Sequence, residues 1–71
     1  MALNGVMRGS IVRFVGDSKL YPRQSTFANE QLEVGKEYFV EHVFPGKEFR
    51  ILELSGNEYL YVEDMFELVR A

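Results

Sequence analysis

A chain of 71 residues with eight Lys and Arg, eleven Asp and Glu and a formal net charge of -3 has room for one core and no second site-bearing domain. The absence of cysteine excludes disulfide staples and thiolate metal ligands, so apolar packing or oligomerisation must supply the stability. An isoelectric point near 5.0 disfavours a general nucleic-acid binder, whose affinity comes from clustered cations and counterion release.

The aromatic content of 14% provides core material in Phe14, Phe27, Tyr38, Phe39, Phe49, Tyr59, Tyr61 and Phe66, not all of which need be inside. No segment has the charged start and apolar run of a signal peptide, and none approaches the roughly 20 apolar residues of a membrane span. The chain therefore reads as cytoplasmic, one domain over residues 1–71 with a candidate N-terminal arm at 1–8.

The first strand is expected over residues 10–15, with Val12 and Phe14 as its core pair and Gly16 and Asp17 ending it. Residues 16–31 carry Gly, Asp, Ser, Pro, Gln, Ser, Thr and Asn without a sustained period and read as one long loop pinned by Tyr21 and Phe27. Within it, residues 25–31 have room for a helical turn, although Ser and Asn argue against a stable helix. After a turn at Glu33-Val34-Gly35-Lys36, residues 37–44 alternate, placing Tyr38, Val40 and His42 on one face and Phe39, Glu41 and Val43 on the other.

Pro45-Gly46 suits a type II turn with positive φ at glycine, reversing the chain directly into a strand over residues 49–54. Ser55-Gly56-Asn57 makes the next hairpin, residues 58–61 the fourth strand, 62–65 a one-turn helix and 66–69 the fifth strand. These elements describe an all-β, five-stranded SH3-like barrel with a long loop after the first strand and a one-turn helix before the last.

The run Leu32-Glu33-Val34-Gly35-Lys36-Glu37-Tyr38-Phe39-Val40, answered by Tyr61-Val62-Glu63-Asp64-Met65-Phe66-Glu67-Leu68-Val69, resembles the short SH3-like proteins of bacteria and their phages. Those carry a leucine-x-x-glycine-lysine-x-tyrosine-x-valine turn and strand and finish on phenylalanine-glutamate. The resemblance spans the barrel and implies its fold; most such proteins have no assigned activity, so it implies little about function. A phage or mobile-element origin follows from the resemblance alone.

No catalytic, metal or cofactor motif emerges. His42 is the only histidine, which excludes paired-histidine metal sites, and as a lone strand residue it reads as half-exposed and structural. Glu63 and Asp64 are adjacent in a turn, where side chains diverge, and read as turn-forming and solvating rather than as an acid–base pair. Gly35-Lys36 lacks the glycine-rich strand-to-helix setting of a phosphate loop.

Charge is distributed unevenly. Residues 1–23 hold Arg8, Arg13, Lys19 and Arg23 against Asp17 alone, while residues 24–71 hold four basic and ten acidic side chains. Plain solvation explains most such asymmetry, but it can also orient a charged partner. A small protein-binding module, a regulator or inhibitor acting on a larger protein, is the expected function, with Tyr21, Arg23 and Phe27 from the loop and Tyr59 and Asp64 from the opposing edge as contacts.

The alternative is a KOW-type nucleic-acid-binding domain using Arg8, Arg13, Lys19, Tyr21 and Arg23. A proline-peptide groove is disfavoured because the chain has no tryptophan to donate to a ligand backbone. Self-association is a further reading, with an exposed Phe39, Val43 or Leu54 sealing a homodimer.

Overall fold

The computed structural model describes residues 5–16, 18–19, 22–47 and 49–71. Its elements are β1 (Ile11–Phe14), α1 (Pro22–Gln31), β2 (Glu37–Phe44), β3 (Ile51–Leu54), β4 (Leu60–Val62), a 3₁₀ turn (Glu63–Met65) and β5 (Phe66–Arg70). The strands form one five-stranded antiparallel sheet in the order β4-β3-β2-β1-β5. Among the described residues no ladder joins β4 to β5; the 3₁₀ turn links these two end strands covalently, and the sheet is open.

Val12 and Phe14 are fully buried, as alternation along β1 requires. They meet Val40 from β2, Leu52 and Leu54 from β3, Tyr61 and Val62 from β4, and Met65 and Phe66 from the last turn and strand in one apolar cluster. Val6, expected as part of an arm, is tied to this body: it is buried in the cluster, and its carbonyl accepts from Arg50 Nη1 at 3.5 Å.

The glycine turn before β2 has a clear physical basis. Gly35 sits at φ +89, a region that side chains with a Cβ avoid. Its amide donates to the Phe14 carbonyl at 2.8 Å, and the Lys36 carbonyl accepts from the Phe14 amide at 3.0 Å. The Tyr38 hydroxyl then accepts from the Glu33 amide at 2.9 Å. Glycine, lysine carbonyl and tyrosine hydroxyl together fasten the entrance of β2 to the end of β1.

Four expectations are corrected. Residues 22–31 are a ten-residue helix, not loop. Pro22 stands at its first position, where a missing N–H costs nothing, and Ser25, Ala28 and Leu32 are buried at helical spacing. Packing of this small-residue stripe overrides the weak helix propensity of Ser and Asn.

In β2 the register shifts between Val40 and His42. The extra residue, Glu41, turns Val43 toward the core and leaves His42 exposed, reversing the alternation beyond the bulge.

Gly46 is not among the positive-φ glycines, so the expected type II geometry is absent. Glycine is needed there because a Cβ would collide with the Phe49 carbonyl oxygen, and β3 begins only at Ile51.

Glu63 is not solvating: it is 2% exposed. Its Oε1 accepts from the Arg50 amide at 3.3 Å, and Oε2 lies 3.7 Å from Arg50 Nε, so charge pairing accompanies the burial that an isolated carboxylate would not tolerate.

Candidate functional site

The β3–β4 turn is shaped by Gly56 at φ +76 and by Asn57. The Asn57 amide donates to the Leu54 carbonyl at 3.1 Å. Its side-chain Oδ1 accepts from the Tyr59 amide at 3.2 Å and from the Tyr61 hydroxyl at 2.8 Å. One amide side chain thus holds the turn, the chain leaving it and a buried tyrosine in fixed relation. Burial pushes the Tyr61 phenol up from its ordinary value.

Helix α1 packs beside β4 and brings Phe27 onto this turn. The Phe27 ring meets Tyr59 edge-on at 4.8 Å and lies nearly parallel to Tyr61 at 6.3 Å. Tyr61 touches Phe66 at 6.2 Å, and Phe66 touches Phe14 at 5.6 Å. A continuous line of rings therefore runs from surface to core. Its outer members, Phe27 at 37% and Tyr59 at 41% exposure, are held by the inner ones and offer rigid apolar area to solvent.

Beside them lies an open depression of about 480 Å³, lined by Gln31, Gly56, Asn57, Glu58 and Tyr59. Sequence reasoning singled out Phe27 and Tyr59, and the structure brings them together. It missed the depression's other lining residues because Gln31 reaches the turn only as the end of a helix. Pro22 followed by Ser25, Ala28 and Leu32 at steps of three, three and four was the available signal.

The remaining expected contacts lie elsewhere. Arg23 is exposed in the first turn of α1, and Tyr21 lies outside the described residues. Asp64 is a tether: its Oδ2 accepts from Ser18 Oγ at 3.1 Å and from the Lys19 amide at 2.9 Å. The Ser18 amide in turn donates to Ser25 Oγ at 2.7 Å. These bonds anchor the segment before α1 and the helix's first turns, at the opposite end from Gln31.

Of the cations proposed for nucleic acid, Arg8 and Lys19 are exposed. Arg13 bonds Glu67 and lies 3.3 Å from Glu37. Those bonds, the one to Glu67 foremost, hold its guanidinium above the ordinary arginine range. Arg13 is thus occupied by two carboxylates, which would have to be displaced before it met a phosphate.

Among the residues expected to seal a dimer, Phe39 is 43% exposed, but Leu54 is fully buried and Val43 packs on the core. Alternation and the bulge in β2 turn both inward. His42 stacks edge-on against Phe44 at 4.5 Å. Among the described residues no three His, Cys, Asp or Glu side chains are grouped as metal ligands would be, and no helix is long and apolar enough to cross a membrane.

Searches of family models, curated proteins and solved structures found nothing that matches this chain.

Proposed function

We propose that this chain is a small, non-catalytic protein-binding module with an SH3-like barrel architecture, and that it holds its partner at the depression between the end of α1 and the β3–β4 turn. The observation that carries the reading is the Phe27–Tyr59 pair, two exposed rings in edge contact at 4.8 Å on a rigid aromatic line leading to the core. Large aromatic side chains fixed by packing lose little entropy on binding and are the usual anchors of protein contacts. The SH3-like reading is supported by the strand order, the 3₁₀ turn between β4 and β5, and one apolar cluster reached by every strand.

A regulator or inhibitor of a larger protein fits such a module, since its chemistry lies on its outer surface. The test is affinity capture from the native host with the wild-type chain, Tyr59→Ala, and Phe27→Ala combined with Tyr59→Ala, each checked by circular dichroism. A partner retained by the wild type and lost from both folded variants supports the assignment. A partner retained undiminished by the folded double variant would overturn it.

A further inference from the structure

Helix α1 carries its charges against its own dipole. Its first turn has no acidic residue and its last turn no basic one; instead Arg23 stands near the N-terminus and Glu30 beside Gln31 at the C-terminus. A helix end carries about half a negative charge on its free carbonyls, and an acidic residue there is locally unfavourable. Departures from local preference of this kind, here with no ion pair between Glu30 and a described residue, are expected at functional sites.

The same end of α1 forms one wall of the depression through Gln31, and Glu58 lies in the opposite wall beside Tyr59. Neither Glu30 nor Glu58 is ion-paired with a described residue. The negative end of the helix dipole, the Glu58 carboxylate in the lining and the electron-rich face of Tyr59 therefore act in the same direction, and Glu30, one residue before Gln31, adds negative charge at the same helix end. Each favours a cation, and a flat guanidinium satisfies all three, since it can donate to a carboxylate while stacking on a ring.

We infer that the depression takes a basic segment of the partner protein, with an arginine side chain seated against Tyr59 between Glu58 and the C-terminal end of α1. This rests on the protein-binding reading above and gives it a charge and a residue type. An acidic or phosphate-bearing ligand would meet the Glu58 carboxylate and the negative end of the helix dipole.

The test is a titration of the ¹⁵N-labelled full chain, at low salt, with acetyl-Gly-Arg-Gly-Arg-Gly-amide. The same peptide with citrulline for arginine, and one with glutamate, serve as controls. The expected result is saturable shifts at the amides of Gln31, Asn57, Glu58 and Tyr59 with the arginine peptide only, weakened at least about tenfold by Glu30→Lys combined with Glu58→Lys. Because lysine at position 30 suits the helix dipole better than glutamate, that variant should melt no lower than the wild type, which separates lost binding from lost folding.

Equal shifts from the citrulline peptide at these amides would overturn the inference while leaving a peptide site in place. No shift from any peptide would overturn the inference and count against the site as well. Shifts spread over Glu37, Glu53 and Glu67 would reveal unspecific attraction and overturn it too.

Discussion

Two outer surfaces use charge in opposite ways. On the β5–β1–β2 face, Arg13 stands opposite Glu37 on one neighbouring strand and Glu67 on the other and bonds both, so cross-strand pairing consumes its charge within the fold. Around the depression, Glu58 lies in the lining beside the exposed Tyr59, Glu30 precedes Gln31 at the end of α1, and neither carboxylate is paired with a described residue. A charge satisfied inside the fold supports the fold weakly and offers little to a ligand, whereas an unsatisfied one beside rigid apolar area costs little in water and is available for binding.

The comparison can be broken most severely from beneath. Phe14→Ala removes a fully buried ring on which both surfaces rest and is expected to cost about 3–5 kcal/mol. A domain of this size has roughly 4–10 kcal/mol in all. Denaturant unfolding should therefore find the variant largely or wholly unfolded, with the two faces lost together.

Tyr61→Phe sharpens the contrast by acting on one side only. Loss of the hydroxyl bond to Asn57 should cost about 1 kcal/mol and loosen the β3–β4 turn, leaving Arg13 and its partners untouched. It also has a pH signature. Burial raises the Tyr61 pKa in the folded state, so above the ordinary tyrosine value the folded chain keeps a proton that the unfolded chain releases. Stability from this group is complete below about pH 10 and declines as pH rises beyond it. Thermal melts between pH 8 and 11 should show a shallower alkaline decline for Tyr61→Phe than for the wild type.

Arg13→Ala should have the smallest effect. Its partners are exposed carboxylates, so the loss of stability should be slight and should disappear near 1 M salt, where the Debye length is about 3 Å. Binding at the α1 depression should be unaffected. If the variant bound a peptide less well there, the two surfaces would not be independent.

How far each surface could be read in advance follows from how local its determinants are. The β2 limits, the Gly35 and Gly56 turns and the Val12–Phe14 pair all follow from period-two alternation and turn chemistry, which act within a few residues. Residues 22–31 defeated that reading because α1 has little intrinsic drive; Ala28, Ser25 and Leu32 become a helix stripe only when a core exists to receive them. The bulge at Glu41 escaped for a related reason. Alternation continues in the letters, and only pairing with β3 skips a residue and turns His42 out and Val43 in.

What the chain's letters determined by themselves is a small antiparallel sheet with one core, its turns placed by glycine and its interior by alternating apolar side chains. Tertiary structure alone decided that a segment of weak helix formers becomes α1, that Glu63 goes inside with Arg50, and that Gln31 and Glu58, 27 positions apart, share one depression with Tyr59. The physical reason is range. Turn and strand preferences are carried by neighbouring residues, whereas the convergence of a helix end on a distant hairpin depends on which apolar surfaces find each other, and single-residue preferences do not encode that meeting.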